Sequence, residues 1–371
     1  MAEVKTLEVK TSADPKGASS SSSSSRELDD PFSDALDHEE PLLQEGDNAD
    51  RPYPPPPEDK QAYEWWNDAV SSFWKHNEVD FSHDARVWAT LEAPIRHFIG
   101  LILAFFSTFD SIVAANLATH FQSVIKNPVV NLFFGQQIST EGVHAVTYGL
   151  QIDCILGSGP DAKGEKTKLF ESVKLVPSVK ALNVWAKKWL NDKKAALATR
   201  IMVWALVEGV LFVGKFAGIY WLKHKFINMP GLAWANQKIS EDETSHCGYA
   251  VFIYNRYIKR RLKQEHVEKL VREMMALEED FIRESLRTEL VGMKSESMIQ
   301  YVRYWADLVI SKMGYKPIYN VQNPFQWMDM MSLMRKGNFH DLRLAEYGAP
   351  KTEEMQNTSA AYDTAPEHAD F

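Results

Sequence analysis

Apolar residues recur at the 3.6-residue spacing of a helix along most of the chain, and no stretch shows sustained strand-like alternation. The periodic segments run over 62–76, 91–125, 129–156, 178–190, 195–226, 232–258, 264–289 and 295–313. Breakers separate several of them: Asn127-Pro128, the stretch from Gly157 to Gly164, and Met229-Pro230-Gly231. Several segments approach or exceed about 25 residues, which predicts an all-α fold of long helices bundled around an internal site. The stretch from Ile201 to Leu222 is apolar on every side and about as long as the ~20 residues a membrane span needs. It carries Glu208 and Lys215, however, and an ionised carboxylate near mid-bilayer is expensive. The pattern therefore predicts a helix buried in the bundle, with its acid facing something that compensates it, and no membrane partner.

Charge and composition sharpen the boundaries. The net charge of −9 argues against nucleic acid as the main partner. Residues 1–58 hold 14 acidic and 5 basic residues, and the rest of the chain holds 36 of each sign. With its run from Ser19 to Ser25 and the prolines 54–57, this segment is expected to be a disordered acidic tail. A helical domain is expected over 59–322. From Asn323 the periodicity fades, and 323–371 is expected to be a C-terminal segment ending in a flexible arm. Two widely separated cysteines, Cys154 and Cys247, exclude a disulfide framework and suit a reducing compartment. With no signal-peptide pattern at the N-terminus, the expected location is cytoplasmic, or the host cytoplasm for a viral lineage.

Glu-x-x-His occurs twice, as Glu141-Gly-Val-His144 and Glu243-Thr-Ser-His246, each inside a periodic segment. The i, i+3 spacing puts a carboxylate and an imidazole on one helix face. One such motif is weak, because a surface Glu-x-x-His is common. Two further acids, Asp110 and Glu208, sit in strongly apolar helices, where a lone charge would cost several kcal/mol or stay protonated. Together these residues give four carboxylates and two imidazoles on four helices, an oxygen-rich set suited to iron or manganese. Without thiolates, a structural zinc site is not expected. Ferritin-like di-iron bundles have this ligand arithmetic. The plainer alternative is four unrelated helices whose buried acids pair with Lys or Arg.

Tyr148 lies four residues past His144 and seven past Glu141, on the same face. A phenol there could be oxidised by an oxygen-activating metal pair, or be an ordinary core tyrosine; periodicity leaves both open. Phe212 and Phe216 follow Glu208 at four and eight residues and face the same way, as a dry wall beside the cofactor or as plain core.

At this point the chain resembles the small subunit of class I ribonucleotide reductase, in its eukaryotic and viral branch, from about Tyr63 to Phe371. The matching stretches are FWKHNEVDFS (73–82), LAFFSTFDSIVAANL (103–117), FFGQQISTEGVHAVTYGLQID (133–153), VEGVLFVGKFAGIYWLK (207–223), MPGLAWANQKISEDETSHCGYA (229–250) and NPFQWM (323–328), in matching order and spacing. The resemblance implies that Asp110, Glu141 and His144 bind one iron and Glu208, Glu243 and His246 the other, with bridging carboxylates. It implies that Tyr148 bears a radical, that Trp74 begins a long-range route, and that Asp242 links His144 to Trp74. A carboxylate on a ligand imidazole also makes physical sense, since it fixes the tautomer. Tyr347 matches the tyrosine that passes the oxidation to the large subunit, and Asp370-Phe371 matches the end of the tail that docks there. The chain departs from the pattern at Glu241, where arginine is usual, and at Ala145-Val146, in place of Ser-Glu.

The implied function is that of the small subunit of ribonucleoside-diphosphate reductase. Two irons per chain (or manganese) and dioxygen would generate the Tyr148 radical, and the chain would work as a homodimer with the large, catalytic subunit. No Gly-rich phosphate loop is present, so the chain itself is not expected to bind nucleotide. Two other readings use the same fold: a metal-free regulatory subunit, and a di-iron oxidase acting directly on a small substrate.

Overall fold

The computed structural model describes residues 37–46, 51–156, 176–192 and 194–328, and among these there are helices and no strands. The α-helices are α1 Lys60–Ser71, α2 Ser82–Thr90, α3 Ala93–Asn116, α4 Pro128–Leu156, α5 Pro177–Leu190, α6 Leu197–Leu206, α7 Phe212–His224, α8 Pro230–Tyr257, α9 Gln264–Ser285 and α10 Ser295–Lys312. This is the all-α, long-helix bundle that the periodicity predicts. Two π-helical segments interrupt it. Leu117–Gln122 prolongs α3, and Val207–Leu211 joins α6 to α7 into one continuous rod. Single π turns inside helices recur at functional sites, since the extra residue re-aims the side chains around it. Here the π turn contains Glu208. It also packs closely on α8: a Cβ at Gly209 would collide with Cys247 Sγ and with Val309, so only glycine fits.

Helix starts follow local chemistry. Pro128 opens α4, and the Asn127 side chain accepts from the N–H groups of Val129 (3.0 Å) and Val130 (3.1 Å). Pro230 opens α8, whose first N–H groups, on Gly231 and Leu232, donate to Asp84 on α2 at 3.3 and 2.5 Å. The α8 cap thus comes from another helix.

Part of the segment expected to be tail belongs to the bundle. Leu42 is buried, and its carbonyl accepts from Lys126 N at 2.7 Å. Asp37 accepts from Leu197 N at the start of α6 (2.8 Å), and the buried Glu40 accepts from Lys259 N and Arg260 N (3.0 and 2.8 Å). Composition counted these acids as solvated, whereas they satisfy backbone donors at helix ends. At the other end, Phe325 is buried against Tyr301, and Trp327 stacks on His224 at 4.9 Å.

Among the described residues, two helices are long and apolar enough to cross a membrane, Ala93–Gln122 and Leu197–His224, with 67% and 94% of their most apolar windows buried inside the protein. The second is the stretch in which the sequence predicted a buried, compensated helix. Its Lys215 is 1% exposed and pairs with Glu278 of α9, itself 0% exposed. The ammonium also sits over the rings of Phe105 and Phe281, at 4.3 and 4.4 Å. Burial pushes Glu278 up to about 7, with Lys215 pulling it back. Lys215→Met should destabilise the protein by about 3–5 kcal/mol, because it strands a buried carboxylate. Lys215→Met/Glu278→Leu should recover most of that loss. Chemical denaturation of the two variants measures this, and equal losses in both would mean that the pair is not coupled.

Candidate metal centre

The six carboxylate and histidine residues singled out in the sequence come from four elements and converge in the core. Asp110 lies on α3, Glu141 and His144 on α4, Glu208 in the π turn, and Glu243 and His246 on α8. Glu141, Glu208, Glu243 and His246 each offer one ligand atom, all within 4.8 Å of one another, and Asp110, Glu141 and His144 do the same. Glu141 belongs to both sets. Its Oε2 lies 3.4 Å from His144 Nδ1 and its Oε1 3.1 Å from His246 Nδ1. Glu243 likewise turns Oε1 to His144 Nδ1 (2.9 Å) and Oε2 to His246 Nδ1 (3.0 Å). Each of these carboxylates therefore spans the two imidazoles, which is the posture of a bridge.

The donor set fits a pair of cations. Both oxygens of Asp110, one oxygen each of Glu141, Glu208 and Glu243, and His144 Nδ1 are buried without an aligned hydrogen-bond partner. Buried polar atoms are almost always satisfied, so so many in one place point to a ligand. Burial first, then the negative charges of Glu141 and Glu243, pushes Asp110 well above the usual carboxylate range. Glu208 is raised the same way, by burial and then by Glu243 and Glu141. Burial also acts to raise Glu243, but His246 and His144 outweigh it and hold the group well below that range. Desolvation disfavours the charged imidazoles, yet the surrounding carboxylates win: His144 is raised well above its usual value and His246 to about 9. Only cations would let all four carboxylates ionise beside two neutral imidazoles.

Tyr148 is fully buried on the ligand-bearing face of α4, and its hydroxyl donates to Asn236 Oδ1 at 3.2 Å. Burial, and then the charge of Asp110, pushes its phenol well above the ordinary range, so it is neutral at any working pH. Its ring stacks on Phe106 at 4.8 Å and 6°. Phe212 and Phe216, the two rings expected to form the wall, stand against Phe106 at 5.5 and 4.8 Å.

At His144, one carboxylate oxygen joins two residues distant in sequence. Trp74 Nε1 donates to Asp242 Oδ2 at 2.7 Å, and the same oxygen lies 3.0 Å from His144 Nε2. The Trp74 and His144 rings are 6.0 Å apart and nearly parallel. An ionised carboxylate can only accept, so Nε2 carries the imidazole proton and Nδ1 is left for a metal. The structure thus brings together Trp74, Asp242 and His144. Tyr347, Asp370 and Phe371 lie outside the described residues.

Some partners escaped the sequence reading. Gln137 Nε2 donates to Glu141 Oε1 (3.2 Å) and Glu208 Oε1 (2.9 Å), and Trp204 Nε1 donates to the same Glu208 oxygen at 2.9 Å. Each precedes a ligand by four residues, the one signal that could have found them. The sequence departures lie away from the centre. Val146 is exposed on the outer face of α4, and Glu241 is met by Lys238 at 3.2 Å and Gln237 at 3.1 Å on the surface of α8. Cys247 is buried and its thiol pushed up to about 12, consistent with packing rather than redox work.

Metal uptake must displace the protons that these raised groups hold. Affinity for Fe(II) or Mn(II) should therefore rise with pH from about 6 to about 9, with proton release on binding. Calorimetry in buffers of different ionisation enthalpy measures both, and a flat pH profile without proton release would refute the protonation pattern.

A family model described as "Ribonucleotide reductase, small chain" matches residues 55–324. The chain is 40% identical over 309 residues to the ribonucleoside-diphosphate reductase small subunit of Dictyostelium discoideum, covering 83% of this chain and 89% of that one. It is 38% identical to the small chain of Nicotiana tabacum, covering 83% and 91%. Among solved structures, the ribonucleotide reductase Rnr4 homodimer from Saccharomyces cerevisiae shares the fold, with a TM-score of 0.70 at 24% identity, covering 80% of this chain and 93% of that one. Sequence, fold and the convergence of the six ligand-type residues agree: the chain belongs to the ribonucleotide reductase small-chain family.

Proposed function

We propose that this chain is the radical-generating subunit of a ribonucleoside-diphosphate reductase, supplying the oxidising equivalent with which a large subunit reduces ribonucleotides to deoxyribonucleotides. The observation that carries this reading is the single Asp242 oxygen shared by Trp74 and His144, on the helix that also carries a buried, neutral Tyr148 four residues past His144. Asp110, Glu141 and His144 would hold one metal ion and Glu208, Glu243 and His246 the other, with Glu141 and Glu243 bridging. Iron is the metal proposed, and manganese would accept the same donors. When bound, the pair supplies with dioxygen the oxidising power that Tyr148 requires.

The residues of the chain do the rest. A phenol held neutral by burial can lose an electron only together with its proton. Phe106, Phe212 and Phe216 keep water from the resulting phenoxyl. Asp242 holds the indole N–H of Trp74 and the imidazole N–H of His144 on one oxygen, so an electron leaving Trp74 towards the centre has a proton acceptor already in place. From Trp74 the oxidation would pass to Tyr347 in the arm and then to a cysteine on the large subunit, docked through Asp370-Phe371. A homodimer working in the cytoplasm is part of the same proposal.

A direct oxidase would have no use for the Trp74–Asp242–His144 contact. A metal-free regulator would have no use for six converging, under-satisfied donors. Low-temperature EPR with metal analysis, after anaerobic ferrous loading and exposure to oxygen, separates the three readings. About two irons per chain and a tyrosyl signal are expected. Two metals without a radical would favour the oxidase, and no metal uptake the regulator.

Tyr148→Phe should keep metal uptake and lose the long-lived tyrosyl signal; a signal of unchanged lifetime would place the radical elsewhere. Tyr347→Phe, or deletion of the arm after Met328, should keep that signal and abolish nucleotide reduction with the large subunit. Normal turnover by either variant would refute the role proposed for the arm.

A further inference from the structure

Trp234 is a second indole beside Trp74, and the proposed reaction does not use it. Trp74 itself is 4% exposed: its ring stacks on His144 at 6.0 Å, and its N–H is held by Asp242. A side chain approaching from solvent thus finds almost none of that ring. Trp234, near the start of α8, stands edge-on to it, with ring centroids 5.6 Å apart and planes at 90°. Trp234 is 36% exposed, so the two indoles in contact make one path from a ligand-type imidazole to the surface.

The surface at Trp234 is concave. Trp234 lines a cavity of about 310 Å³ together with Ile219, Leu222, Lys223, Met229 and Gln237. The C-terminal segment departs close to that wall: Trp327 stacks on His224, which follows Lys223 on α7. An extended chain gains about 3.3–3.6 Å per residue, so the stretch from Met328 to Tyr347 is more than long enough to reach Trp234. An indole gives up an electron far more readily than a benzene ring, so Trp234 can carry a step that phenylalanine in its place could not.

We propose that Trp234 is the residue through which the oxidation leaves the bundle, an electron-transfer step between Trp74 and Tyr347. The proposal rests on the route assigned above to Trp74 and Tyr347. Once Trp74 has given an electron towards the centre and its N–H proton to Asp242, Trp234 gives one electron to Trp74, which takes that proton back. Trp234 is left as an indole cation radical, whose charge is solvated at its exposed edge. Tyr347 then gives one electron to Trp234 and its hydroxyl proton to water. Both tryptophans are back in their starting states, and the arm holds the oxidising equivalent.

The test measures nucleotide reduction by the metal-loaded full chain with saturating large subunit, for wild type, Trp234→Phe and Trp234→Tyr. Turnover is expressed per tyrosyl radical, counted by EPR, so that neither weaker docking nor a lower radical yield enters the comparison. Trp234→Phe should lower it about tenfold, equivalent to about 1.4 kcal/mol on the barrier, and Trp234→Tyr less than about threefold. Phenylalanine and tyrosine fill the place alike and differ in whether they can be oxidised, so a purely structural role predicts equal losses. Equal losses in the two variants, or wild-type turnover by Trp234→Phe, overturn the relay and leave the route through Trp74 standing. A wild-type chain that forms no tyrosyl radical, or reduces no nucleotide with the large subunit, overturns the underlying route and the relay with it.

Discussion

Four carboxylates placed together in an apolar core set the terms for everything around them. Asp110, Glu141, Glu208 and Glu243 are all buried, and burial together with mutual repulsion makes their joint ionisation unfavourable without cations. A fold can hold such a cluster only if its scaffold is rigid and favourable on its own account. Long apolar helices provide this: α3, α4, the α6–α7 rod and α8 each carry one of the carboxylates, with extensive hydrophobic packing on either side of them. The π turn at Val207–Leu211 and the glycine that lets it approach α8 are local irregularities that a rigid rod tolerates where the function needs them. Gln137 and Trp204 serve the same purpose, each fixing one face of a carboxylate so that another remains for a metal.

The same low-dielectric core governs the residues proposed to carry the oxidation. Burial keeps Tyr148 protonated, which ties loss of its electron to loss of its proton, and the rings of Phe106, Phe212 and Phe216 make a dry wall beside it. Trp74 would be an ordinary core aromatic but for Asp242, whose one oxygen connects it to a ligand imidazole. A hydrogen bond of this kind does two jobs. It fixes the tautomer that leaves Nδ1 for a metal, and it ties a ligand-type imidazole to the buried indole of Trp74.

Much of this was legible in the chain as written. Periodicity gave the helices because a helix buried along one face, or along all of them, must repeat its apolar residues every 3.6 positions. The two Glu-x-x-His motifs were legible because their geometry is local, and Asp110 and Glu208 because an acid in an apolar run demands a partner. The family resemblance supplied Tyr148, Trp74 and Asp242 as residues of interest. Composition misread the segment before residue 59: Asp37, Glu40 and Leu42 pack on the bundle, and acidic side chains that cap backbone donors look in a sequence like solvated ones.

The sequence by itself determined which helices form, which faces they bury and which residues could be ligands, since each of these depends on spacing within one element. Tertiary structure alone decided the rest. Lys215 is compensated by Glu278, 63 residues away, rather than by the acid on its own helix. Glu141 and Glu243 each span both imidazoles, and Tyr148 and Tyr220 meet through opposite ends of one asparagine. The reason is physical: bridging, charge compensation and hydrogen-bonded relays depend on distances of a few ångströms between different helices, which only their packing sets.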